Sequence, residues 1–142
     1  MKTQNVSTIP QQKLLTIIFF AIATEQIVIA AAIYFLKTSG HFQGELPSKE
    51  ILTIVFLAAS AMLPFLGHKL YGWQMASTAS VTDAVQATRK KFVTILLRLI
   101  SYDMASILAM IGYLLTSNVV LLAAFVVIFA FCLFLKPKQE LL

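Results

Sequence analysis

A repeated apolar pattern with one internal acid is the sequence feature that most constrains this chain. Residues 14–40 align with residues 92–118 at an offset of 78. The alignment matches Thr16 with Thr94, Ile17 with Ile95, Glu25 with Asp103, and Thr38-Ser39 with Thr116-Ser117. In each copy the acid lies near the middle of an apolar run of about 23 residues, close to the ~20 needed to cross a bilayer. A carboxylate at that depth costs roughly 2.5–3.5 kcal/mol to insert, so Glu25 and Asp103 are the first candidates for function.

The composition indicates an integral membrane protein in contact with the lipid bilayer. Of the 142 residues, 59% are hydrophobic and 12% are charged, whereas a soluble domain has about 25% charged residues. The net charge is +5, but the basic residues flank apolar runs, which excludes a nucleic-acid-binding pattern. The single cysteine, Cys132, lies inside an apolar run, so no internal disulfide can form and we expect a packing or lipid-facing residue.

We predict a single transmembrane domain over residues 1–142 with four spans, at residues 14–36, 51–66, 92–115 and 119–135. A cleavable signal peptide is a competing interpretation of the first span, because Ala21 and Ala23 have the spacing of a cleavage site. The apolar run continues to Leu36, so we expect the span to be retained. Ser48 is the predicted N-cap of the second span, and Pro64 should kink that span or free a carbonyl group.

The repeat extends to the second and fourth spans. At an offset of 69, Phe56 matches Phe125 and Lys69 matches Lys138. The sequence therefore predicts an all-α membrane protein built as two parallel-repeat helical hairpins, residues 14–71 and 92–138. The polar helical linker between them, residues 72–91, either lies on the membrane or extends the third span. Tyr71 and Trp73 are expected to anchor the second span at the headgroup level.

The distribution of basic residues predicts the orientation. Eight lie in the N-terminal tail, the middle loop and the C-terminal tail, and two lie on the other side. By the positive-inside rule both termini are cytoplasmic, in a multi-pass protein of the inner (plasma) membrane.

The polar residues around the two acids suit an ion. Thr24 and Gln26 flank Glu25, while Ser101, Tyr102 and Ser106 surround Asp103. A carboxylate among hydroxyl and amide groups can bind a proton, or hold Na⁺ through oxygen ligands. Alternatively, each carboxyl group stays protonated and hydrogen-bonds between helices.

Arg98 lies five residues before Asp103 and is the one basic residue inside a span. It either pairs with a carboxylate on another helix, Glu25 being a candidate, or extends to the cytoplasmic interface. Ser101, Ala105, Ala109 and Gly112 form a stripe of small residues, which indicates close packing within the bundle or a subunit contact.

An enzymatic or metal-binding role is not expected. The chain has no nucleophile–His–acid set and no glycine-rich phosphate loop, and the predicted orientation places His41 and His68 at opposite membrane faces. We therefore predict no catalytic residues, no metal site, and no cofactor beyond H⁺ or Na⁺.

With one membrane-embedded carboxylate per hairpin, Glu25 and Asp103, the chain resembles the rotor-ring proteolipids of rotary ATPases in their fused double-hairpin c or K subunit form. This resemblance implies ion translocation by a homo-oligomer or by a subunit of a membrane complex. Residues 97–118 also look like a group of uncharacterised small bacterial four-helix membrane proteins, which have an acid at the Asp103 position and a similar turn at residues 115–118.

Three functions follow from these patterns. The first is a proteolipid-like subunit in which Glu25 and Asp103 bind and translocate H⁺ or Na⁺. The second is a non-catalytic structural or accessory membrane subunit whose buried acids pair with Arg98 or with a partner helix. The third is a small cation or multidrug transporter, a class that also has four spans and an acid in the first.

Overall fold

The protein is a bundle of α-helices. A computed structural model describes residues 8–40 and 48–135, and the helices are α1 (Thr8–Thr38), α2 (Lys49–Thr78), α3 (Ala84–Thr116) and α4 (Val119–Phe134). Three of them, α1, α2 and α3, are long and apolar enough to cross a membrane. Helix α4 is apolar throughout but has 16 residues, which gives about 24 Å of length. The predicted all-α fold with four helices is confirmed, and three of these helices have the length and composition of membrane spans.

The helices are longer than the predicted spans because helical structure continues through polar sequence. Residues 72–78 are the last turns of α2, and residues 84–91 are the first turns of α3. The segment predicted as a separate polar helix is therefore divided between two long helices. Its second half is continuous with the third predicted span in one helix. Pro64 lies inside α2, which is one helix across it.

The side chains that end and start the helices explain the short connections. Asp83 and Asn118 are extended N-cap residues, and each side chain accepts a 3.0 Å hydrogen bond from the backbone N–H two residues later, the typical N-cap arrangement. Ser117 takes the left-handed conformation, φ 57°, that closes α3 before Asn118. Ser48 stands at the predicted start of α2, but its φ is 71° and its side chain makes no capping hydrogen bond.

Helix α3 is the centre of the bundle. Its backbone packs closely against those of α1, α2 and α4, whereas within residues 8–40 and 48–135 the backbones of α1 and α2 do not approach each other closely. The expected hairpin between the first and second helices is therefore not confirmed. Instead, α1 and α3 run parallel: Leu15 packs in one cluster with Ile95, and Ile33 packs in another with Met110.

Close backbone approach holds α2 against α3. A Cβ atom placed on Gly67 would lie 2.6 Å from Ser101 Cβ, and one placed on Gly112 would lie 2.8 Å from Phe56 Cβ. The Thr94 hydroxyl of α3 also lies 2.9 Å from Gln74 Oε1 of α2. In lipid, where apolar burial between helices gains little, such close packing and interhelical hydrogen bonds are what stabilise association.

The buried side chains form two apolar clusters at different heights. The first cluster contains Leu15, Phe19, Ile22, Ile95, Leu99 and Cys132, and the second contains Ile33, Ala109, Met110 and Phe125. Along α1 the gap between the clusters falls between Ile22 and Ile33. The candidate site occupies this gap.

Candidate functional site

A hydrogen bond between α1 and α3 lies in the gap between the two apolar clusters. Gln26 Nε2 donates to Asp103 Oδ1 at 3.1 Å. Gln26 is 1% exposed, and Asp103 is half-buried. Because Gln26 and Asp103 are separated by 77 residues, close to the repeat offset, the parallel packing of α1 on α3 brings matched parts of the two sequences to one level.

The other end of the Gln26 amide has no partner. Its Oε1 atom is buried and accepts no hydrogen bond from the residues that the structure describes. Leaving such an acceptor unsatisfied costs about 1–3 kcal/mol. This position therefore favours a bound hydrogen-bond donor or cation.

Glu25 stands beside this pair. It precedes Gln26 in the chain, and its side chain is exposed on the surface of the bundle, whereas Gln26 is buried. Glu25 therefore lies at the level of the gap but faces outward from α1.

The hydroxyl groups that the sequence predicted as ion ligands donate hydrogen bonds to backbone carbonyls of their own helices. Thr24 donates to the Phe20 carbonyl at 2.8 Å, Ser101 to the Leu97 carbonyl at 2.9 Å, and Ser106 to the Tyr102 carbonyl at 3.1 Å. All three use the i−4 bond by which Ser and Thr satisfy themselves inside a helix. Of the predicted ligand set, Gln26 is the residue that the structure brings to Asp103 by a hydrogen bond. Tyr102 is half-buried and lines a groove between α2 and α4.

Arg98 has an aromatic partner that sequence reasoning missed. Its side chain is 6% exposed, and its guanidinium carbon lies 3.7 Å from the centroid of the Tyr71 ring on α2. A desolvated cation–π contact of this kind is worth about 2 kcal/mol. The sequence signal was weak, because Tyr71 looked like a headgroup-level anchor.

Replacing Tyr71 by Leu should therefore lower the free energy of unfolding by about 1–2 kcal/mol, since the buried guanidinium loses its π face. Tyr71→Phe keeps the ring and should stay near the native value, which SDS titration of the purified protein measures. Tyr34→Leu, at an exposed position of α1, is the matched control for loss of a tyrosine. Equal destabilisation by the Leu and Phe variants would show that the hydroxyl, not the ring, matters.

The small residues of α3 lie inside the bundle. Ala105 and Ala109 are fully buried, and Gly112 faces Phe56 and Leu121. Cys132 is 1% exposed and lies beside the Gln26 side chain. The sequence left packing and lipid exposure open for Cys132, because α4 is apolar on every side, and the structure shows packing.

The structure describes one of the two histidines. His68 is exposed on α2, and His41 lies outside the described residues. Within residues 8–40 and 48–135 no three His, Cys, Asp or Glu side chains are grouped so that they could hold a metal ion.

No protein-family model, curated protein or solved structure matches this chain.

Proposed function

We propose that this protein is a small multi-pass membrane protein that binds H⁺ or Na⁺ at Asp103, Glu25 and Gln26 and carries the ion as a proteolipid-like subunit. The observation that supports this most directly is the buried, unpartnered Gln26 Oε1 beside the Asp103 carboxyl group. Carboxylate and amide oxygens are hard ligands, which suit a proton or an alkali cation and not a soft metal.

The route to the site is lateral. The two apolar clusters lie on either side of it along the helix axes, while Glu25 is exposed on the outer surface of the bundle. An ion would therefore reach Asp103 from the side, past Glu25. Lateral access favours a subunit that exchanges its ion with a neighbouring chain, as a homo-oligomer or in a membrane complex.

The proposal includes four membrane crossings with both termini in the cytoplasm. Helix α4 completes the fourth crossing. Lys13 and residues 89–91 lie at the end of the bundle where α1 and α3 begin, and Lys37 and Lys49 lie at the other. The positive-inside rule assigns the more basic end to the cytoplasm.

Labelling with dicyclohexylcarbodiimide, which adds to protonated carboxyl groups in apolar surroundings, tests ion binding. We expect mass spectrometry to find the adduct on Glu25 or Asp103 in the native protein. Labelling should slow as pH rises, because deprotonation removes the reactive form. If Na⁺ is the ion, NaCl should protect at constant pH and choline chloride at the same ionic strength should not.

A different result is expected if the protein carries neither ion. Labelling that is absent at every pH, or insensitive to both pH and Na⁺, would contradict ion binding. The second candidate, a structural or accessory subunit, is favoured by the same Gln26–Asp103 hydrogen bond, since it joins α1 to α3. If the protein is a structural subunit, breaking the Gln26–Asp103 hydrogen bond would weaken the packing of α1 on the bundle, and carbodiimide labelling would not depend on the ion.

A further inference from the structure

A groove with a volume of about 390 Å³ lies between α2 and α4, with α3 as its floor. Ser60, Ala61 and Pro64 form the α2 wall, Tyr102 stands on the floor, and Ala124 and Phe131 belong to the α4 wall. Phe131 is 58% exposed, so the groove opens on the lateral surface of the bundle. Apolar pockets of this size between the helices of a bundle are typical small-molecule sites.

The groove wall contains a buried hydroxyl group, that of Ser60, which makes no hydrogen bond to its own helix. It is 1% exposed, and its Oγ has no hydrogen-bond partner among the described residues. Other buried hydroxyls of the bundle behave differently: Thr53 donates to the Lys49 carbonyl at 2.8 Å, and Ser106 to the Tyr102 carbonyl at 3.1 Å. The Ser60 hydroxyl therefore has a hydrogen and lone pairs to offer.

Pro64 adds an acceptor at the same place. A proline has no N–H, so it cannot donate to the carbonyl four residues earlier, which is that of Ser60. One residue thus supplies a hydroxyl group and a carbonyl oxygen that lacks its usual helical donor. A ligand hydroxyl, which both donates and accepts, satisfies the two together.

We propose that this groove binds an uncharged lipophilic alcohol, with its hydroxyl group at Ser60 and its hydrocarbon body along Ala61, Ala124 and Phe131. Charged head groups are excluded, because the lining has no ionised side chain to pair with them and burying an unpaired charge is costly. The proposal is independent of ion binding, since Glu25, Gln26 and Asp103 do not line the groove.

Photolabelling of the full chain in lipid nanodiscs tests this, with a dodecanol carrying a mid-chain diazirine as the probe. We expect adducts on the peptides that contain Ala61 and Phe131, and we expect excess dodecanol to remove them. Dodecane should compete far less well, since it has the hydrocarbon body without the hydroxyl. Adducts spread evenly over the exposed faces of α1 and α2, or equal competition by dodecane, would overturn the proposal.

Two pairs of variants locate the interaction. Ser60→Ala should weaken competition by dodecanol about fivefold, the effect of one lost neutral hydrogen bond. Thr53→Val removes a hydroxyl from the same helix away from the groove and should leave competition unchanged. Ala61→Leu should block labelling by filling the groove, and Ala58→Leu, one turn earlier on α2, should not. If dodecanol competes as well in the Ser60→Ala variant as in the native protein, the proposal that Ser60 recognises the ligand hydroxyl is wrong.

Discussion

Asp103→Asn should leave Glu25 reactive toward dicyclohexylcarbodiimide while reducing the protection by the bound ion ten- to a hundredfold. The fold-change corresponds to the loss of a hydrogen bond or ion contact to a charged group, about 1.5–3 kcal/mol. Asn has nearly the shape of Asp and still accepts from Gln26 Nε2, so the contact between α1 and α3 is retained. The quantity to measure is the concentration of Na⁺, or the pH, that halves the labelling rate of Glu25.

Asp83→Asn is the matched control for this experiment. Asp83 is an exposed N-cap residue outside the site, and Asn is as good a cap as Asp. The control should keep native protection. If Asp103→Asn keeps native protection as well, Asp103 does not share the ion, and the site reduces to Glu25. If Asp103→Asn instead loosens α1 without changing protection, the structural role is the correct one.

Gly67→Ala should lower the free energy of unfolding by about 1–3 kcal/mol, the usual cost of forcing an extra carbon into a packed interface. The new Cβ would lie 2.6 Å from Ser101 Cβ, and neither atom can move without shifting a backbone. SDS titration of the purified protein measures the loss. Gly72→Ala, on the same helix with no atom within 4 Å of the new Cβ, should be neutral or slightly stabilising because Ala is the better helix former.

A second substitution should relieve this overlap. Ser101→Gly removes the opposing Cβ atom, so the Gly67→Ala/Ser101→Gly protein should be more stable than the sum of the two single effects predicts. Comparing the two single variants with the double variant separates the steric overlap of the two Cβ atoms from the general cost of glycine in a helix, about 1 kcal/mol. Strict additivity of the two substitutions would show that α2 and α3 are not in close contact here.

The sequence predicted the helices well, but it did not predict where they end or which helices pack together. Apolar run length predicted all four helices, because a lipid-exposed helix must be apolar over its length. It placed the end of α2 near Leu66, whereas the helix continues to Thr78. Beyond the apolar run, polar residues such as Gln74 and Ser77 remain helical. Hydropathy detects the apolar run and gives no information about helix in polar sequence.

The sequence named Glu25, Gln26 and Asp103 as candidate ligands, and the structure shows a hydrogen bond between Gln26 and Asp103. The partner of Asp103 was less visible, because Gln26 stands next to the more conspicuous Glu25. A helix with apolar residues on every side has no periodicity to show which face is inward. Only the packing of α1 on α3 reveals that Gln26 points in and Glu25 points out.

The parallel packing of α1 on α3 also bears on how the chain is assembled. Ribosomal synthesis delivers α1 first and α2 second, yet within the described residues the backbones of these two helices do not approach each other closely. The hydrogen bond from Gln26 to Asp103 can therefore form only after α3 has been made. Docking to this late-arriving third helix would complete the polar site only after most of the polypeptide is in place.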